Sequence, residues 1–182
     1  MVYVFLANGF EEVEAFTPVD YLRRCELDVK TVGIQGKMVR GSHGITVIAD
    51  LTFYDVDLAE AELIVLPGGL PGTTNLEASR RLSEVIDYCV EKEIPVGAIC
   101  AAPSILGHKG LLKGRTATCA SGFEQELEGA VVTGNPVETD GIFTTARGAG
   151  VANEFAFALA ERLCGRERAE KLMAAVRWDD RR

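Results

Sequence analysis

A chain of 182 residues, 47% hydrophobic and 25% charged, carries enough apolar material for a single domain over 1–182 with a substantial core. A formal net charge of −8 without a clustered basic stripe repels phosphate backbones and argues against nucleic acid as a direct partner. No apolar run approaches the roughly 20 residues that cross a bilayer, and the opening MVYVFLANGFEEVEAF meets acidic residues too early for a secretion signal; no membrane association and a cytoplasmic location are expected.

The predicted elements alternate. VYVFLA reads as a strand, followed by a helix from about Glu11 to Arg24 and a second strand, LDVKTVGI. KMVRGSHGITVIAD places the turn residues GSHG between two β-prone runs, the pattern of a hairpin. AELIVLPGG is a buried strand ending in Pro-Gly-Gly. In ASRRLSEVIDYCVEKE, Leu82, Val85, Ile86, Cys89 and Val90 recur at helical spacing. Ile94, Val96 and Ile99 then form another buried strand, and Ala101 to Leu106 the first turns of a helix with Pro103 near its start. VVTGN and GIFTTARG are short strands. GVANEFAFALAERLCG is an amphipathic helix stopped by Gly165, and a further helix runs from Arg166 to Val176. Continuously apolar strands alternating with helices indicate an α/β fold, a mostly parallel sheet covered on both faces. Ligands of such sheets bind beyond the carboxyl ends of the strands, where LANGFEE, LPGGLPG and AICAAP should converge.

Five cysteines are scattered without a C-x-x-C pair, which argues against a disulfide framework and against structural zinc; no metal is expected. Cys100 stands apart because it lies at a strand-to-helix turn. Small residues two positions to either side, Ala98 and Ala102, permit the sharp elbow on which nucleophiles are mounted, and the amides of the following helix would lower the thiol pKa. An inert buried cysteine is the competing reading. The two histidines offer little help as a base. His108 lies eight residues along the same helix, about 12 Å of rise away, and His43 sits in the hairpin turn, facing solvent or an interface.

A carboxylate is the remaining candidate. Glu11 and Glu12 suit the first turn of a helix. Glu14 lies among Val13, Ala15 and Phe16, four residues before Pro18, which should kink the helix. A surface position explains Glu14 as well. Should it instead face Cys100, two acids in one poorly hydrated site would hold a single proton between them. LPGG (Leu66–Gly69) is either a plain turn or a place where backbone amides approach a ligand as an oxyanion hole requires; no phosphate-binding glycine fingerprint is present.

With Glu14, VLPGG and AICAAP together, and with LANGFEEVEAFTPVDYLRR, GSHGITVIAD and TTARGAGVANEFAFAL in the same order, the chain resembles the ThiJ/PfpI superfamily, on the branch of the Parkinson-disease-associated deglycase. The resemblance implies a flavodoxin-like three-layer sandwich. It implies Cys100 as a reactive, oxidation-prone nucleophile, Glu14 as its acid–base partner, and the amides of Gly69 and Ala101 as oxyanion donors, with Gly68 beside them. It further implies a homodimer through the first helix and the hairpin, with His43 near the subunit boundary. Two positions depart from relatives. Ala101 replaces the histidine that follows the cysteine in peptidase-like members, which argues against peptidase activity. Ala120, after Cys119, replaces a histidine of the deglycase branch, so proton transfer falls to Glu14. The expectation is a cofactor-free glyoxalase or deglycase acting on small dicarbonyls or glycated adducts. The alternative is a redox-responsive stress protein whose Cys100 is oxidised to sulfenic or sulfinic acid, with a chaperone-like role left open.

Overall fold

The computed structural model describes residues 1–178. β1 (Val2–Leu6) is buried throughout and lies between two parallel neighbours, β2 (Val29–Gly33) and β6 (Leu63–Leu66). β5 (Leu51–Thr52) extends the sheet beyond β2. On the other side come β7 (Val96–Ile99), β11 (Phe143–Ala146) and β10 (Val137–Asp140), giving the order β10-β11-β7-β6-β1-β2-β5. Every pairing is parallel except β10 with β11.

The period of two along each strand divides the core. Val2, Val4 and Leu6, with Leu63 and Val65, face one layer; Tyr3, Phe5 and Ala7, with Ile64 and Leu66, face the other. The first layer holds α1 (Glu12–Arg24), α5 (Ala152–Cys164) and α6 (Arg166–Ala175); the second holds α2 (Gly72–Glu77), α3 (Arg80–Glu91) and α4 (Pro103–His108). The predicted apolar face of α3 is buried at Leu82, Val85, Ile86 and Cys89, and Ser79 caps the helix by accepting from the Leu82 N–H at 3.3 Å. α5 closes directly onto β7 because Gly97 has no side chain: a methyl there would stand 3.0 Å from Phe155 and 3.1 Å from Leu159. This is the mostly parallel, three-layer flavodoxin-like architecture.

The hairpin forms as β3 (Met38–Arg40) against β4 (Thr46–Ile48), with Met38 opposite Ile48. Three strands escaped the sequence pattern. β5 and β8 (Thr116–Ala117) are two residues long, and β10 is an edge strand whose VETD has no apolar alternation. VVTGN contributes only β9 (Val131–Val132), paired parallel with β8 outside the main sheet. The helix expected from Ala101 begins two residues later, at Pro103, and has only six residues. α1 runs as a single helix through Pro18. Among the described residues, no helix is long and apolar enough to cross a membrane.

Candidate functional site

The chain leaves β1 for β2 on one side and returns to β6 on the other, so a crevice opens at the carboxyl ends of β1 and β6, the topological switch of this sheet type. The loops after β1, β6 and β7 meet there, as the sequence suggests. Glu11 N–H donates to the Gly68 carbonyl at 2.9 Å and Gly72 N–H to the Gly9 carbonyl at 3.1 Å. These approaches depend on bare backbone. A methyl on Gly9 would lie 2.5 Å from Pro71, and one on Gly69 2.5 Å from the Glu11 nitrogen; both glycines have positive φ, +89° and +90°. A fourth loop, Arg147–Val151 after β11, closes the site. It was legible in the sequence only as part of the resemblance, although Gly148 and Gly150 mark it as a strand-end turn like the other three.

Cys100 has φ of +66°, in the left-handed region that costs an L-residue about 1–2 kcal/mol. The elbow is over-determined by its surroundings: Cys100 N–H donates to the Ala146 carbonyl at 2.8 Å, and its own carbonyl accepts from Ala120 N–H at 2.8 Å. The expected small-residue flanks, Ala98 and Ala102, are fully buried. The half-buried thiol accepts from the amides of Ala101 and Gly69 and is hydrogen-bonded to the carboxyl of Glu14.

Glu14 is 1% exposed, so the surface reading does not hold. The Glu11 side chain caps α1 by accepting from Glu14 N–H at 2.7 Å, which starts the helix one turn before Glu14 must point inward. Its Oε2 accepts from Gly68 N–H at 2.9 Å, and Ala149 N–H donates to the same carboxyl. Gly68 is the spacer: a methyl on it would stand 2.6 Å from both Cys100 Cβ and Glu14 Oε2. An open hollow of about 280 Å³, lined by Arg147–Val151, adjoins the loop that holds Glu14.

The electrostatics follow from this crowding. Burial, opposed by the hydrogen bond to Cys100 and reinforced by the charge of Glu11, raises the Glu14 carboxyl from an ordinary 4.5 to about 7. Burial and the Glu14 charge push the Cys100 thiol up to about 12, against the pull of the Ala101 and Gly69 amides. The expectation that helix amides alone depress the thiol is therefore corrected: α4 is short, and a second acid in a dry site outweighs two donors. Both groups shift upward because the site is dry: burial makes the first negative charge, on Glu14, costly, and the second, on Cys100 beside an ionised Glu14, costlier still. The remaining proton belongs to the pair, held between sulfur and carboxyl.

Neither histidine joins them. His43 N–H donates to Glu12 Oε1 at 2.9 Å and its Nδ1 lies 2.9 Å from Glu12 Oε2, leaving the imidazole largely exposed on the hairpin. Glu12, read from the sequence as a helix-start acid, is in fact buried as the clamp of the hairpin turn; a long-range contact of this kind leaves no local signal. His108 ends α4 between Glu77 (2.5 Å) and Glu126 (2.7 Å). Ala120 supplies only its backbone to the elbow, and Cys119 is buried, its thiol raised to about 11 by that burial. Among the described residues, Glu11, Glu12 and His43 alone gather metal-ligand atoms within 4.8 Å of one another. The carboxylate of Glu12 is already committed to the hairpin, and we assign no ion there.

A strained cysteine at a strand-to-helix elbow, hydrogen-bonded to a buried glutamate at the switch point of a flavodoxin-like sheet, defines the class of domain to which this fold and site correspond. Residues 1–162 match the model of the DJ-1/PfpI family, and the chain belongs to that family. It is 37% identical to DJ-1 homolog B of Arabidopsis thaliana over 92% of its own length and 33% identical to the Parkinson disease protein 7 homolog of Danio rerio, covering 95% of this chain and 94% of that one. A Thermococcus kodakarensis protein named as a deglycase is 32% identical over 71% of this chain and 77% of its own. The structure of oxidized Toxoplasma gondii DJ-1 superposes with a TM-score of 0.91 at 31% identity, covering 96% of both chains. The chain spans 39% and 46% of the length of two Arabidopsis relatives, homologs B and A.

Proposed function

We propose that this protein is a cysteine-dependent enzyme of the glyoxalase or deglycase type, acting on small reactive dicarbonyls such as methylglyoxal or on their adducts. The observation that carries the proposal is the hydrogen-bonded Cys100–Glu14 pair beneath the amides of Gly69 and Ala101; the relative named as a deglycase supports it. Cys100 passes its proton to the Glu14 carboxylate as its sulfur attacks the aldehyde carbon, forming a C–S bond while the carbonyl electrons move to oxygen. The two amides stabilise that oxyanion, which takes the proton from Glu14 to give a hemithioacetal. Glu14, again a carboxylate, then removes the proton from the former aldehyde carbon and returns it to the neighbouring carbon, while the hemithioacetal hydroxyl gives up its proton to the ketone oxygen, which becomes an alcohol. The product is a thioester, which water cleaves to a hydroxy acid and the free thiol. The route calls for no cofactor or metal. With both imidazoles engaged elsewhere, Glu14 is the group available to move the proton. The test is lactate formation from methylglyoxal by wild type, Cys100→Ser and Glu14→Gln. Activity confined to the wild type supports the proposal, and equal activity in Cys100→Ser refutes it.

The second reading is a redox-responsive protein in which peroxide converts the Cys100 thiolate to sulfenic and then sulfinic acid, with Glu14 hydrogen-bonding the new oxygen. Its support is the missing imidazole base, which oxidation does not need, together with a relative whose structure was determined oxidized. Selective oxygen addition at Cys100 under mild peroxide, with no lactate formed, would favour it over the first. In either case we propose a homodimer. Val13 at the start of α1 and Met38, Ile45 and Ile48 on the hairpin are exposed apolar side chains on the two elements that the resemblance assigns to the interface, with His43 beside them.

A further inference from the structure

Two further thiols meet far along the chain from Cys100. Cys25 caps the C-terminal end of α1, and Cys164 is the last residue of α5. The two helices pack together on one face of the sheet, and at their ends the thiols are hydrogen-bonded to each other. Cys25 is buried in the core beneath these helices, and half-buried Cys164 packs against that core. Arg168, near the start of α6, hydrogen-bonds the Cys25 sulfur while donating to the Arg24 carbonyl at 3.4 Å and pairing with Glu26 at 3.1 Å. A hollow of about 390 Å³ reaches Cys25 between Arg24, Arg168, Lys171, Leu172 and Ala175, ample room for a peroxide molecule. Nothing in the chemistry of the Cys100 site uses either sulfur.

We propose that Cys25 and Cys164 form a second oxidation site, which hydrogen peroxide closes into an intramolecular disulfide tying the end of α1 to the end of α5. Burial raises both thiols and the charge of Arg168 opposes the rise at each, but Cys25 alone lines the hollow and takes the Arg168 hydrogen bond, so Cys25 attacks first. Its thiolate forms a bond to one peroxide oxygen as the O–O bond breaks, and the departing hydroxide takes a proton to become water. The resulting sulfenic acid is attacked at sulfur by the Cys164 thiolate. The S–S bond forms, the S–O bond breaks, and a second water leaves. Two thiols and one peroxide thus give one disulfide and two waters. Because burial leaves little of either thiol ionised, the bond forms slowly, and because the joined thiols are poor leaving groups it resists reduction, in contrast to an exposed regulatory bridge.

The test uses the full chain carrying Cys100→Ser, so that the first sulfur cannot compete. After hydrogen peroxide treatment and blocking of remaining thiols, digestion without reductant should yield one peptide pair joined through Cys25 and Cys164, about 2 Da lighter than its two thiol forms. It should disappear on reduction. The oxidised protein should melt about 5–10 °C higher, because the bond closes a loop of about 140 residues in the unfolded chain. Adding Cys164→Ser should remove both effects. Recovery of the two cysteines as free thiols, as separate sulfinic acids, or bridged to Cys89 or Cys119 would overturn the proposal. The crosslink is read on a protein that retains both residues, so its presence or absence does not depend on how the added variant folds. It is equally independent of whether Cys100 turns over dicarbonyls.

Discussion

Replacing Glu14 with glutamine should change how stability depends on pH. In the unfolded chain this carboxyl ionises near 4.5; in the folded protein burial raises it to about 7. Between those values the native state holds a proton that the unfolded state has released. Stability conferred by the protonated carboxyl is therefore complete below 4.5 and is lost as pH rises through about 7. A rise of this size corresponds to about 3 kcal/mol, at roughly 1.4 kcal/mol for each tenfold change in proton affinity. Glutamine carries no such proton. It does present an NH₂ where one carboxylate oxygen accepts from Gly68 or Ala149, but that cost is the same at every pH. The difference in unfolding free energy, Glu14→Gln minus wild type, should thus grow in favour of the variant by about 3 kcal/mol from pH 4.5 to pH 8. Urea denaturation at fixed ionic strength across this range measures it, staying below the ordinary thiol value of 9 at which an unfolded cysteine begins to contribute. A difference that stays constant over the range would show that Glu14 ionises as freely in the folded protein as in water, and the shared-proton argument would fail with it.

Two other outcomes are expected. Gly68→Ala places a methyl 2.6 Å from Cys100 Cβ and from Glu14 Oε2; it should cost about 1–3 kcal/mol in stability and slow iodoacetamide labelling of Cys100 at least several-fold, with an unchanged circular dichroism spectrum showing that the fold survives. His108, bracketed by Glu77 and Glu126, is raised above its ordinary 6.5 by those hydrogen bonds. Its contribution is full below 6.5 and fades as pH rises through the folded value, so NMR titration should find the imidazole of His108 protonating at higher pH in wild type than in Glu77→Gln; coincident curves would refute the clamp.

The elements most plainly written in the sequence are those whose apolar residues repeat at one period over several turns or strand positions. VYVFL, LIVL and the α3 stripe could be assigned because burial on both faces, or on one face, is itself a compositional demand. β5, β8 and β10 could not, since strands of two to four residues at an edge are held by neighbours distant in the chain rather than by their own pattern. Glu12 shows the same limit among side chains. Its acid character suits the start of a helix, and only the fold reveals that it reaches His43 and Ile45 across some thirty residues.

At the site, the residue types and their order (a cysteine after an apolar strand, paired small neighbours, two glycines after Pro67) were local properties and could be read directly. What the sequence by itself determined was the alternation that makes a parallel sheet and the placing of Cys100 at a strand's end, because both follow from periodicity and turn chemistry within a few residues. Only the tertiary structure decided that Glu14 rather than a histidine meets the sulfur, that the two acids share one proton, and that Cys25 touches Cys164. Those outcomes depend on distances between segments dozens of residues apart and on the exclusion of water from the space they enclose, and neither quantity exists until the chain has packed.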